Sequence, residues 1–456
     1  MALTYRAVIV ALLGVVPVAL FPSWVTMAVW LALVIVAVVV DVALAASPRR
    51  VELARDLERA VRLGETAEVA LRLTNHDRKT LRAVVKDAWQ PSAGAEGNVA
   101  RLHIPGGEVR ALRYRLTPSR RGDIRASHVA MRSLGPLGVA GRQATIAAPE
   151  VLRVLPAFKS KRLLPSKLKL MNEIDSRASV NVRGQGTEFD SLREYVRGDD
   201  VRSIDWRATA RSREVVVRTW RPERDRRVII VLDTSRTSAA RILDEQRLDT
   251  GIEAALLLAA LAERGGDRVD FVAFDRRVRS RVRSTMKMAT LTSLGAAMSG
   301  LTSELVEADW DAVASEVLRL SKQRSFVVFL TALDTGAVLE GLLPVLPMLT
   351  ARHTVAVASV RDPELEHDTL GGWGTETVDA HGKRRPAGEH SNTQGSVKAT
   401  VPTAYQAAAA DRAVLEQQSL AQMIRQTGAE VVEAPPYELP SALVDLYLRL
   451  KAAGRL

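Results

Sequence analysis

Asp233-Thr234-Ser235-Arg236-Thr237 is the stretch of this chain most suited to chemistry. A carboxylate followed at two and four residues by hydroxyls, on a loop leaving a strand, can turn three oxygens toward one point. That donor set suits a hard cation such as Mg²⁺, with water completing the shell. The same Ser and Thr side chains serve equally well as caps for the amides of the turn. Other chemistries lack their parts. The chain has no cysteine, so a disulfide, a thiolate metal site and a Cys nucleophile are all excluded. Nor does it carry a metal-spaced His pair, a Walker-type Gly-Lys-Ser/Thr run or a nucleophile elbow. A metal-assisted hydrolase at Asp233 is the alternative to weigh, and it would need a base or nucleophile converging with the cation. The expectation is therefore a non-catalytic binding or adaptor protein, with no catalytic residue.

The second crowded stretch runs from Arg183 to Arg211. It carries Gly184, Gly186, Glu188, Phe189, Arg193, Tyr195, Asp199, Asp200, Arg202, Asp205, Trp206 and Arg211. Its arginines set against its acids predict a buried or half-buried ionic network, of the kind that gives specificity more readily than stability. Two roles are open for it: a clasp between neighbouring domains, or a docking surface for a partner. Trp206 and Tyr195 are amphipathic anchors for either.

Stepping outward from Asp233, the elements that must position it are short apolar runs. Val228–Leu232, Val269–Phe274, Phe326–Leu330 and Thr354–Ala358 read as strands of a sheet covered on both faces. Leu248, Ile252, Ala255, Leu256 and Ala259 recur at helical spacing, and Gly265-Gly266 ends that helix. Strand alternating with helix predicts a doubly wound, mainly parallel α/β sheet, whose ligand site lies at the carboxyl ends of its strands. Arg277–Arg283 alternates Val with Arg and reads as an antiparallel edge strand. Glu430–Glu433 and a helix from Ser441 to about Ala452 close the unit, and Glu364–Thr400 reads as a polar loop.

Upstream the pattern differs. Between Val51 and Pro156, runs such as Glu68–Leu73, Leu81–Lys86 and Val109–Leu116 alternate at period two, punctuated by Asn75-His76-Asp77, Pro105-Gly106-Gly107 and Arg121-Gly122-Asp123. They predict a small antiparallel β-sandwich of immunoglobulin-like type. Leu134-Gly135-Pro136-Leu137-Gly138 reads as a tight turn pressed on the sheet. From Ala7 to Ala46 the only charge is Asp41, and Pro22-Ser23 divides the run into Tyr5–Phe21 and Trp24–Ala43. Each half approaches the ~20 residues of a bilayer span, which predicts a two-helix transmembrane hairpin. A cleaved signal peptide would have a shorter apolar region with a small-residue cleavage site. Arg6 and Arg49-Arg50 flank the run and place both ends in the cytoplasm.

Lys and Arg number 64 against 52 Asp and Glu, a net charge of +12 that favours anionic surfaces. Lys159, Lys161, Arg162, Lys167 and Lys169 read as a basic linker that is solvated or faces anionic lipid. Nucleic acid is not expected, because only Phe158 is interleaved for stacking.

Gly184-Gln185-Gly186-Thr187-Glu188-Phe189, Leu192-Arg193-Glu194-Tyr195, Gly198–Arg202 and Ile204–Arg211 together resemble the signature of the domain of unknown function 58 family. Hairpin, sandwich and α/β domain resemble that family's actinobacterial members over nearly the whole chain. The resemblance implies a multidomain protein: a transmembrane hairpin over 1–46, a β-sandwich over 47–156, a basic linker and signature segment over 157–224, and a von Willebrand factor A-like α/β domain over 225–456. It implies a metal-ion-dependent adhesion site beginning at Asp233, Ser235 and Thr237, and a partner, a MoxR-type AAA+ ATPase. An intact adhesion site also takes a Thr from a second loop and an Asp just after a later strand. Here the second loop reads Ser303–Trp310, and the carboxylate after Leu330 is displaced to Asp334; Thr302, Glu307, Asp309 and Asp334 are the available substitutes. The expected location is the cell membrane, two-pass, with the bulk of the chain cytoplasmic.

Overall fold

The computed structural model describes residues 2–181, 188–197, 199–212, 214–221, 226–283, 290–365, 377–378, 384–385 and 401–456. These fall into two compact units, Met1–Ala157 and Phe158–Leu456.

The first unit begins with apolar helices α1 (Tyr5–Leu13), α2 (Val15–Leu20) and α3 (Trp24–Leu44). Gly14 joins α1 to α2 where a Cβ would run into the Trp30 ring of α3. Ser23 starts α3 by accepting the Val25 amide at 3.2 Å, an N-cap that satisfies one orphan donor. With the turn Pro48–Arg50, α3 makes the one described helix long and apolar enough to cross a membrane; Tyr5–Leu20 is shorter. The large apolar side chains of these helices, from Tyr5 to Leu44, stand mostly exposed.

Two sheets follow, antiparallel except where Ala60–Arg62 lies parallel along the end of Ala140–Leu155. One orders β1 (Val51–Leu57), β2 (Ala67–Asn75) and, after two intervening strands, β5 (Val109–Leu116), closed by Ala95–Glu96. The other orders Ala2–Leu3, β7 (Ala140–Leu155), β6 (Gly122–Leu134), β3 (Leu81–Trp89) and β4 (Val99–Ile104). Residues of β2 alternate between buried and open along their whole length, as half-buried strands must. Leu71, Leu73, Leu81, Val85, Ile104, Leu116, Ile124, Met131 and Leu152 from both sheets form one core. That core also holds an ion pair: the Arg55 guanidinium meets Asp87 at 2.8 Å, and Tyr114 donates to the same carboxylate at 2.5 Å.

The second unit opens on a helix where a basic linker was expected. Residues 158–181 are not a linker: a short turn, Lys159–Leu163, leads into α4 (Leu164–Asn181), and Phe158, Leu164 and Met171 join the hydrophobic core of the unit. Lys159 pairs with Glu245, and Lys167 pairs with Asp445 at 2.6 Å. Those two lysines are spent on acids of the same unit. Next comes a small sheet of its own, β8 (Glu188–Glu194) antiparallel to β9 (Val216–Arg221).

The main sheet contains β10 (Arg227–Asp233), β11 (Arg268–Phe274), β12 (Val278–Val282), β13 (Phe326–Leu330), β14 (Thr354–Val360) and β15 (Glu430–Ala434), in the spatial order β12-β11-β10-β13-β14-β15. All neighbours are parallel except β12, the expected antiparallel edge. Ile230 and Leu232 pack with α6 (Arg247–Arg264) and a last helix, Leu439–Ala452, on one face. Ile229 and Val231 pack with α8 (Trp310–Leu320) and Leu343–Thr350 on the other. This two-sided cover explains why β10 is apolar without alternation. Of the expected loop 364–400, nearly all lies outside the described residues.

Candidate functional site

The chain enters the main sheet at β10, builds outward to β11 and β12, then returns to lay β13 on the opposite side of β10. Loops leaving β10 and β13 therefore diverge, and a crevice opens beyond their carboxyl ends. Asp233 is the last residue of β10 and Thr331 the first after β13.

Asp233 is 1% exposed, and its carboxylate is the hub of the crevice. Oδ1 accepts the Ser235 amide at 2.8 Å. Oδ2 accepts the Thr237 hydroxyl at 3.0 Å and the Thr331 hydroxyl at 2.6 Å. The Ser235 and Thr237 hydroxyls lie 3.2 Å apart, and Ser238 donates to the Asp233 carbonyl at 2.7 Å. Convergence of oxygens and capping of the turn thus coexist. Thr331 was missed by sequence reasoning; its only signal was its place just past a buried strand.

Asp334 is directed elsewhere. Its Oδ1 accepts the Ala337 amide at 3.2 Å and lies 3.6 Å from the Arg236 guanidinium, whose Nε pairs with Glu307. Asp309 caps α8 by accepting the Ala312 amide at 2.9 Å, and Thr302 is exposed. Arg236 thereby ties the loop after β10 to the loops carrying Glu307 and Asp334, and its amide donates to the Val306 carbonyl at 3.0 Å. Arg247 lies behind Asp233 and reaches the Thr237 carbonyl at 3.4 Å; burial pushes its pKa down, opposed by Asp362 and Asp334. The cavity lined by Asp233, Arg247, Leu248 and Thr331 measures about 10 Å³, the room of roughly one water.

The oxygen donors fit a hard cation in kind but not fully in charge. Asp233, Ser235, Thr237 and Thr331 supply one carboxylate and three hydroxyls, while Asp334 and Glu307 face a guanidinium. Among the described residues, no group of three or more Asp, Glu or His side chains stands close enough to hold a metal ion. A larger cavity, about 550 Å³, lies against edge strand β15 and is lined by Arg361, Arg425, Glu433, Asp445 and Arg449. None of the Asp233 cluster lines it, and burial pushes the Glu433 carboxyl up.

The signature segment is held by its own residues and by residues 215–218 at strand β9. Arg193 donates to Asp199 at 2.7 Å, and Asp199 also accepts the Val196 amide at 2.9 Å; both lower its pKa, Arg193 most. Asp205 caps α5 (Trp206–Thr209) by accepting the Arg207 and Ala208 amides at 3.0 Å, and pairs with Arg218 at 2.8 Å. The Ala208 amide first, then Arg218, lowers its pKa. Ile204 bridges to Val217, on the side of β9 away from β8. Asp200 caps the turn Val201–Ser203 by accepting the Arg202 amide at 2.9 Å. Asp200, Arg202 and Arg211 are exposed, whereas the ion-paired Asp199 and Asp205 are half-buried, so the expected buried or half-buried network narrows to those two pairs. Trp206 is 67% exposed, and Leu192, Val196 and Val201 are exposed as well. Tyr195 is half-buried, its amide donating to Val215 at 2.8 Å. Glu188 and Phe189 lie on β8 opposite Arg221 and Trp220. Gly184 and Gly186 fall outside the described residues.

Comparison with known proteins places residues 191–378 in a match to the family model described as "Protein of unknown function DUF58". The motif read from the sequence overlaps that match from Ser191 onward. Uncharacterised proteins of Mycobacterium bovis and Mycobacterium tuberculosis are 27% identical over 190 residues, 40% of this chain and 57% of theirs. The match thus spans little more than half the length of those relatives. Among solved structures, the VWA domain of SpRpn10 is similar at 11% identity, covering 48% of this chain and 94% of that one, with a TM-score of 0.27. The CARDB domain of the PF1109 protein from Pyrococcus furiosus covers 23% of this chain and 91% of that one at 14% identity and a TM-score of 0.17.

Proposed function

We propose that this chain is a membrane-tethered, non-catalytic binding protein that works with a MoxR-type AAA+ ATPase. In this reading α1 to α3 form a two-pass anchor with both ends cytoplasmic, supported by their exposed apolar side chains and by Arg6, Arg49 and Arg50 at their flanks. The β-rich unit is an immunoglobulin-like sandwich, supported by two mainly antiparallel sheets that share a core. The α/β unit is von Willebrand factor A-like and carries the partner-binding surface. Carrying the reading is one observation: Asp199, Asp200 and Asp205 are engaged within the 188–221 segment while Trp206, Leu192, Val196 and Val201 stand in solvent. Exposed aromatic and aliphatic side chains beside neutralised charge are the chemistry of a protein interface core.

At the crevice, Asp233 with Ser235, Thr237 and Thr331 would hold Mg²⁺ weakly, and a bound Mg²⁺ would offer an open coordination position to a partner's carboxylate. Reading the crevice as hydrolytic has less support. Its hydroxyls donate to Asp233 or to each other, among the described residues no imidazole or amine is bonded to them, and the cavity behind Asp233 holds about 10 Å³. Capture of the ATP-bound ATPase by the full chain in detergent, run beside a hydrolase screen, tests the assignment. Retention of the ATPase without turnover is expected; turnover that Asp233→Ala abolishes would overturn it.

A further inference from the structure

The one charge inside the apolar N-terminal run is buried by the protein's own residues. Asp41 is 0% exposed, and its carboxylate accepts three main-chain amides from a loop almost a hundred residues away: Leu137 at 2.8 Å, Val139 at 2.7 Å and Ala140 at 2.7 Å. A carboxylate that takes several backbone N–H bonds is satisfied without a counter-ion. The loop is shaped to it. A Cβ at Gly135 would run into the Asp41 carboxylate and carbonyl, and Gly138 adopts φ +70°, where any other residue is strained. The Leu134–Gly138 turn is thus pressed on the end of α3 as well as joined to its sheet.

Further bonds surround this latch. Thr4, just before α1, donates its amide to Val139 at 3.0 Å and its hydroxyl to Gly138 at 2.7 Å, and Ala2–Leu3 pairs with Ala140 and Gly141. Arg142 and Lys79 donate to the last carbonyls of α3, at Val42 (3.0 Å) and Ala43 (2.9 Å). Arg6 lies over Gly138. Both helix ends are therefore fixed to one face of the β-rich unit, and three cations collect where the apolar helices end. Among the described residues Arg6, Lys79 and Arg142 have no carboxylate partner. The nearby acid Asp77 is committed to the Ser47 amide and Arg50, and the Ser47 amide above all holds its carboxyl below the usual range. Leu137, at the tip of the latched loop, is 52% exposed.

We infer that the Asp41 latch seats the β-rich unit on the bilayer, with Leu137 in the interface and Arg6, Lys79 and Arg142 on the headgroups of anionic phospholipid. This rests on the anchor reading above. The 21 residues of α3 make about 32 Å of helix at ~1.5 Å per residue, against ~30 Å of hydrocarbon, so its latched end falls at headgroup level. A basic collar at that level attracts anionic lipid. The unit is thereby held at one orientation to the membrane instead of swinging on a tether.

The absence of cysteine makes the test direct. Full-length Leu137→Cys carrying a single fluorophore is reconstituted in nanodiscs of phosphatidylcholine and phosphatidylglycerol. Quenching by headgroup-level nitroxide lipid should be strong, and should fall several-fold in Asp41→Asn and Asp41→Ala backgrounds. Co-purifying lipid should be enriched several-fold in phosphatidylglycerol, and the Arg6→Gln, Lys79→Gln, Arg142→Gln chain should lose that enrichment. A label that stays unquenched in the otherwise wild-type chain, or an unchanged lipid ratio in the triple variant, overturns the inference even if Asp41 variants fail to fold. Release of the protein by carbonate wash overturns the anchor reading itself, whereas retention without quenching overturns only the seating.

Discussion

Removing the Asp233 carboxylate should loosen the crevice by an amount the geometry sets. Asp233→Ala deletes the acceptor for the Ser235 amide, the Thr237 hydroxyl and the Thr331 hydroxyl. Each such bond is worth ~1 kcal/mol net. Thr237 can turn to Ser235, 3.2 Å away, so the loss is about 2–3 kcal/mol instead of the sum plus desolvation. For a domain of this size, ~1 kcal/mol moves Tm by ~2–4 °C, so the α/β transition should fall by about 4–12 °C. Asp233→Asn keeps one acceptor oxygen and should lose about half as much. Differential scanning calorimetry of the purified full chain reads both variants, with and without Mg²⁺. Mg²⁺ should raise the wild-type Tm and leave Asp233→Ala unmoved. A variant that melts with or above the wild type would show that the carboxylate does not hold these loops together, and would refute the reasoning.

Arg236→Ala should strengthen Mg²⁺ binding by calorimetric titration, because Glu307 and Asp334 lose the guanidinium they share; unchanged binding would mean those acids do not reach the crevice. Asp200→Ala should cost about 1 kcal/mol, the value of an exposed cap, and not the ~3–5 kcal/mol of a broken buried pair, since Asp200 accepts only the Arg202 amide at the surface. His353 is buried with neither ring nitrogen hydrogen-bonded among the described residues, and burial first, then Arg352, lowers its pKa. The unfolded chain takes up the proton near ~6.5 while the native imidazole resists it, so its contribution is full above that pH and is lost as pH falls toward the native pKa. His353→Leu should therefore flatten the decline in Tm between about pH 7.5 and 5.5; an equal decline in the variant would assign it to other groups.

The parallel sheet was legible because strands buried on both faces are short and wholly apolar, as Phe326–Leu330 shows. The strands of the β-rich unit were legible from alternation, although that pattern gave no sign of the Arg55–Asp87 pair inside the core. Helix α4 and the turn before it were hidden because their core contacts, Phe158, Leu164 and Met171, are sparse among lysines, of which Lys159 and Lys167 pair with acids far along the chain. At the crevice, Asp233, Ser235 and Thr237 could be read together because they are local. Thr331 joins them across 98 positions, and no local spacing encodes that. Asp41 was conspicuous as a lone charge, but its partners are backbone amides, which carry no side-chain signature.

The central claim is that the segment carrying Trp206 binds an AAA+ ATPase. Its most direct test is the Kd of the nanodisc-embedded full chain for the ATP-bound MoxR-type ATPase, measured for the wild type and for Trp206→Ala. An exposed Trp at the centre of an interface is worth ~2 kcal/mol or more, so the variant should bind about 30-fold more weakly or worse while its melting curve stays that of the wild type. A wild-type chain that does not bind, or a Trp206→Ala chain that binds as tightly, would contradict the account.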